Sequence, residues 1–210
     1  MGVALDEDTD IMTTEAFATT TAYSDTLDLK HAKKFSIVSN VTVASGTADT
    51  FVDGDVDVTD NEITLTAHGW ETGRKVAATT SGVLPAGLSA TDYYVIKVDA
   101  NTIKLASSYA NSQAGTAVDI TAAAGGGTHT LTPAALASAT IALQASIDGS
   151  TWVEVASSSN AVTVTANFLY NVNEPAYRYA RLAFALATGQ LGATAKAVVW
   201  REERIPLQRG

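Results

Sequence analysis

Between Thr140 and Ser146 the apolar residues Ile141, Leu143 and Ala145 alternate with Ala142, Gln144 and Ser146. A period of two turns one set of side chains onto a buried sheet face and the other outward. The run breaks at Asp148-Gly149 and resumes as Thr151-Trp-Val-Glu-Val. That pair predicts a hairpin, since Asp and Gly both tolerate the positive φ of a tight primed turn. Val162-Thr-Val-Thr, Tyr177 to Leu186 and Ala195 to Trp200 repeat the strand-like texture. Along Tyr177–Leu182, Tyr177, Tyr179 and Arg181 fall on one face and Arg178, Ala180 and Leu182 on the other, so an arginine must be paired, buried or near a strand end.

Upstream, Thr26-Leu-Asp-Leu reads as a short strand, Lys30-His-Ala-Lys-Lys as a basic connector, and Phe35 to Val43 as a β-branched strand ending at Ser45-Gly46. Residues 1–25 carry Asp6, Glu7, Asp8 and Asp10, then a threonine-rich run, and predict an N-terminal arm or loosely held edge. From about residue 51 to 133 the strands shorten and turn residues crowd together. Candidates are Phe51–Val58, Glu62–Thr66, Lys75–Thr80, Tyr93–Val98, Thr102–Leu105, Val118–Ile120 and His129–Leu131, with a helical turn or two in Ser107–Gln113. Gly69, Gly73 and Leu84-Pro-Ala-Gly-Leu mark turns. The expected architecture is all-β: an antiparallel, jelly-roll-like β-sandwich from residues 1–50 and 134–210, ending in a C-terminal tail (201–210). A second small β-domain, residues 51–133, is inserted in one of its loops. Insertion at a loop tip costs little, because closure entropy grows slowly with loop length; two consecutive domains are the alternative.

Composition narrows the function. Of 210 residues, 46% are hydrophobic, enough for a packed core, and the net charge is −9. An acidic chain lacks the basic face on which general phosphate attraction depends, so no nucleic-acid partner is expected. No cysteine is present, which removes disulfides, thiolate metal sites and a thiol nucleophile. The first residues lack the basic and apolar regions of a signal peptide, and no apolar run is long enough to cross a bilayer, so no membrane partner is expected.

Candidate chemistry is sparse. Asp53, Asp55 and Asp57 alternate on what would be one strand face, the makings of a calcium site. The spacing lacks the glycine and terminal glutamate of an EF-hand loop, which favours a solvated or charge-guarded edge. His31, His68 and His129 are far apart, and His68 and His129 are expected to make local hydrogen bonds rather than ligate zinc. No Gly-x-Ser-x-Gly elbow occurs, and Gly125-Gly-Gly is followed by no lysine, so it is not a phosphate loop. No catalytic residue and no cofactor are assigned. Among the aromatics, Trp152 and Trp200 sit in apolar alternation and are expected in the core. Trp70, in a turn-like segment, is expected to be exposed and available to a partner. Ile205 and Leu207, flanking Pro206, are expected to dock on a partner.

Two sets of phrases carry a resemblance. Ala67-His-Gly-Trp-Glu-Thr-Gly-Arg-Lys-Val, Asp92-Tyr-Tyr-Val-Ile-Lys-Val-Asp-Ala-Asn-Thr-Ile-Lys-Leu-Ala and Ala114-Gly-Thr-Ala-Val-Asp-Ile-Thr resemble a β-module that recurs in structural proteins of tailed bacteriophages. Gln144-Ala-Ser-Ile-Asp-Gly-Ser-Thr-Trp-Val, Leu169-Tyr-Asn-Val and Tyr177-Arg-Tyr-Ala-Arg-Leu resemble another virion pattern. The resemblance implies a non-enzymatic virion component without catalytic residues. The expected role is a capsid decoration or cement subunit on the head exterior, a homo-oligomer (a trimer) partnered with the major capsid protein or other virion subunits. The alternative is a tail, baseplate or fibre component that binds host glycans through the insert. A polysaccharide hydrolase would need two carboxylates facing each other across a cleft, whereas the acidic cluster lies on one local segment.

Overall fold

The computed structural model describes residues 3–5, 9–18, 21–44, 46–123 and 126–202. In chain order the strands are β1 (Val3–Leu5), β2 (Thr9–Phe17), β3 (Thr21–Tyr23), β4 (Leu27–Asp28), β5 (Ala32–Val43), β6 (Asp49–Phe51), β7 (Val56–Asp57), β8 (Glu62–Thr64), β9 (Lys75–Thr80), β10 (Asp92–Lys97) and β11 (Thr102–Ala106). After the short helix α1 (Tyr109–Gln113) come β12 (His129–Pro133), β13 (Ala139–Ser146), β14 (Val153–Glu154), β15 (Asn160–Ala161), β16 (Ala166–Asn173), β17 (Tyr179–Leu186) and β18 (Leu191–Glu202).

These strands form three antiparallel sheets, two of which pack as a sandwich. In the first sheet β18 has β5 on one side, followed by β16; β1 and β2 run in succession along its other side. In the second, β13 pairs with β17, β14 and β15 lie beyond β13, and β3 and β4 lie beyond β17. Alternation decides what each sheet buries. Leu191, Ala193, Ala195, Ala197 and Val199 of β18 face Ala180, Leu182, Phe184 and Leu186 of β17 across one core, joined by Phe35, Ile37 and Val41 of β5 and Ile141 and Leu143 of β13. Phe17 and Phe184 meet edge to face, with ring centroids 5.4 Å apart. Ser39 also points inward, and its hydroxyl donates to Thr194 O at 3.0 Å, so its burial is compensated.

The third sheet, from Asp49 to Pro133, is a curled half-barrel in the order β6-β12-β9-β10-β11-β8-β7, with a core of its own around Phe51, Ile63, Trp70, Val76, Val95, Ile103 and Leu131. The antiparallel sandwich with an inserted β-domain predicted by the alternation is therefore the fold.

Several local expectations are corrected. Within residues 1–25, expected as an arm or loosely held edge, β2 is a sheet edge but not a loose one: it pairs along β18, and Ile11, Met12 and Phe17 lie in the sandwich core. The acidic and threonine residues conceal this, because Ile11 and Met12 are adjacent at a register irregularity against β18 and so break the period of two. Val162–Thr165 is mostly bend, and the strand begins at Ala166. Val118–Ile120 is not a strand, although Ile120 is buried. Asp148-Gly149 is not a two-residue primed turn. Only Gly149 has a positive φ, of 78°, and the chain returns to pair at Val153, opposite Ala145.

Candidate functional site

The polar side chains singled out from the pattern are engaged in holding turns. Asp53, Asp55 and Asp57 do not share a strand face, because a 3-10 turn at Asp53–Asp55 interrupts the alternation between β6 and β7. Asp55 Oδ2 accepts from Val52 N–H at 2.9 Å, and Asp57 Oδ1 accepts from Thr59 and Asp60 N–H. Asp53 spans a longer gap: Oδ2 accepts from Gly126 N–H at 2.9 Å, and Oδ1 lies 3.1 Å from His129 Nε2. Among the described residues no group of three or more His, Asp or Glu side chains converges as a metal site would require.

His129 Nδ1 lies 2.8 Å from Thr80 Oγ1, completing a Thr80–His129–Asp53 relay. In composition this is a nucleophile, base and acid chain, which sequence separation hid. Its setting is structural. The imidazole is wholly buried against the Phe51 ring, at a centroid distance of 4.8 Å. Thr80 Oγ1 already accepts from Gly82 N–H at 3.0 Å. Donation from Nε2 to the carboxylate and from the threonine hydroxyl to Nδ1 satisfies every member. The relay fastens β12 to β9 and to the turn after β6.

His68 works in the same manner. Nδ1 accepts from Trp70 N–H at 3.0 Å, and Nε2 lies 3.0 Å from Asp99 O. This pulls Trp70 inward, to 4% exposure in the insert core. The tryptophan assignments are thus reversed. Trp70 is buried and offers no face to a partner, while Trp152 and Trp200 are half-exposed, outside both cores. Lys34 Nζ stands 5.0 Å from the ring centre of Trp200. Periodicity had placed Trp200 correctly on a strand but could not say which face was covered, and Trp152 falls just before β14 rather than within it. Ile205 and Leu207 lie outside the described residues.

What the described surface does present is a sheet face. On the outer side of the first sheet, Val38 and Val198 floor an open groove of about 610 Å³, rimmed by Asp10, Ser36, Asn40 and Thr194. Val38 is 44% exposed and Leu169, its register partner on β16, is 60% exposed. Asn40 Nδ2 donates to Thr194 Oγ1 at 3.4 Å, and Lys196 pairs with Asp10 at 3.4 Å. The hydroxyl and amide groups are linked to one another across strands, and the apolar groups between them remain open.

No protein-family model matches this chain, and no curated protein matches it.

The insert is tied to the sandwich by Gln190. Its Oε1 accepts from Glu71 N–H and its Nε2 donates to Gly69 O, both at 2.9 Å, while its own carbonyl accepts from Ala44 N–H at 3.0 Å. Gly73, at φ 94°, packs so closely that a Cβ would stand 3.2 Å from Ala18 O and 2.8 Å from the Tyr109 ring. Arg74 follows, fully buried, and burial pulls its guanidinium below the ordinary arginine value.

Proposed function

We propose that this chain is a non-enzymatic structural protein of a tailed-phage virion, a decoration or cement subunit that adheres to the capsid exterior as a homo-oligomer. The observation that carries the reading is the outer face of the first sheet, with Val38 exposed in the groove next to Val198 and Leu169 exposed beside it. Four strand positions at about 4.8 Å spacing and some eight residues at about 3.3 Å rise give a flat patch on the order of 500 Å². A stable interface buries about 800 Å² per partner, so this face alone falls short. Loops must add area, or many copies must bind together; a symmetric array supplies the second through avidity. The virion resemblance of the insert and of β13–β17 agrees with such a role. Glycan binding through Trp70 loses its basis, because that ring is covered.

The test is reattachment to particles stripped of this subunit, followed by sedimentation and immunogold imaging. Wild type is expected on heads, and a Val38→Asp, Leu169→Asp variant is expected to bind at least tenfold more weakly, since each charge would have to be desolvated against a partner. Label confined to tails would overturn the decoration role, and turnover of host polysaccharide would overturn the non-enzymatic one.

A further inference from the structure

The outer face of the second sheet carries a feature that adhesion through the first sheet does not use. Arg181 of β17 packs against two rings: its guanidinium carbon is 3.7 Å from the ring centre of Tyr23 and 4.1 Å from that of Trp152. Its Nε donates to Gln144 Oε1 at 2.9 Å. Gln144 is its register partner on β13, and Glu154 is the next residue in that row, on β14. The two ring contacts and the amide together hold the guanidinium in place and leave its two terminal NH2 groups as the remaining donors. Among the described residues no carboxylate pairs with them. Glu154 in the same row makes no ion pair with Arg181, because Gln144 stands between them. The contrast with Arg178 is instructive. That side chain also lies over a ring, Tyr179, but it is neutralised by Asp28 at 3.2 Å.

Partial burial lowers the Arg181 value, as expected of a cation desolvated without a counter-ion. An arginine still carries its proton throughout the accessible pH range. Its rotamer entropy is already spent within the folded protein, so an incoming anion meets a preorganised fork. Carboxylates fit that fork with two parallel N–H···O bonds.

We infer that the Tyr23–Arg181–Trp152 stack is a carboxylate-binding site whose occupant is an Asp or Glu side chain from an acidic stretch of a partner polypeptide. Arginine, tryptophan and tyrosine are the residues on which protein interfaces concentrate their binding energy. A sugar acid fits less well, because the ring faces it would stack on are occupied by the guanidinium itself. The inference does not depend on the virion reading.

The test uses the full chain and the peptide acetyl-Ala-Glu-Glu-Ala-amide, with the Gln-Gln peptide as its neutral control. Binding is followed by NMR at the Arg181 Nε–H and by Trp152 fluorescence. The acidic peptide is expected to shift both signals and the neutral one neither. Arg181→Lys keeps the charge but loses the planar fork, and is expected to weaken binding about tenfold with unchanged thermal unfolding. Equal binding by Arg181→Lys would reduce the site to diffuse attraction and overturn the proposal. So would equal shifts with the neutral peptide, no shift with either, or a response to oligogalacturonate alone.

Discussion

Ser146 to Thr151 shows how a single carboxylate can hold a loop. Asp148 Oδ1 accepts from Ser150 N–H, Thr151 N–H and the Ser146 hydroxyl, at 2.8, 2.8 and 2.9 Å, and Ser146 Oγ accepts in turn from Gly149 N–H. Four local bonds replace the two-residue turn, which is why six residues link β13 to β14 without a second positive φ. The donors stabilise the charged form, so the Asp148 carboxyl sits well below the usual carboxylate range, with the Thr151 and Ser150 N–H groups the leading causes. A carboxyl with a depressed folded value binds fewer protons folded than unfolded. Its contribution is complete above the unfolded value of about 3.9 and is lost as pH falls from there through the folded value. Comparing Asp148→Asn with wild type by urea unfolding is therefore expected to show wild type more stable at neutral pH. The gap should close as pH drops below about 4; a constant gap would exclude the charge as its source.

Elements are stabilised by what covers them, and the two tryptophans outside β18 make the comparison. Trp70 belongs to the half-barrel core, seated by His68 and flanked by strands that pair on both sides. Truncation to alanine removes a buried indole and leaves a cavity, at about 3–5 kcal/mol for a site of this kind. Trp152 is half-exposed and stacks on Arg181, and an exposed cation–π contact is worth about 0.5–1 kcal/mol. Urea unfolding of Trp70→Ala and Trp152→Ala is expected to differ by these amounts. Hydrogen exchange should show the Trp70→Ala loss concentrated in β8 to β12 and absent from the sandwich strands. Equal losses in both variants would contradict the burial assignment.

At the scale of the molecule, two cores are joined through a narrow passage. β6 and β12 pair at Asp49 and Leu131, so the chain enters and leaves the insert side by side. The core of the sandwich draws on residues from both flanks of the insert and from none within it. Replacing residues 49–133 by a short Gly-Ser linker is thus expected to leave a cooperatively folding sandwich, because closing so short a gap costs little loop entropy. The deletion would leave the Gln190 amide without Glu71 and Gly69 and open to water, a local loss of about 0.5–1.5 kcal/mol per hydrogen bond. Calorimetry and an NMR fingerprint would check it; a molten or insoluble product would mean the two bodies fold as one. Removing residues 1–25 is different in kind, since Ile11, Met12 and Phe17 would leave the core exposed.

From the residue pattern alone came the all-β class, the inserted domain, most long strands and the glycine turns: Gly69, Gly73, Gly87 and Gly149 all have positive φ. Those features obey rules that act within a few residues. A period of two is set by backbone pleating, and a left-handed turn by the steric demand of one Cβ. Only the tertiary structure decided which tryptophan is buried, that β2 closes a core, that Thr80, His129 and Asp53 meet, and that Arg181 lies against two rings with no carboxylate paired to it among the described residues. Each depends on which strand covers which face. Tyr23 and Arg181 reach one patch from opposite ends of the chain because β3 pairs with β17. Pairing between distant strands is chosen by the burial of the whole core, and that sum is not written in any one stretch.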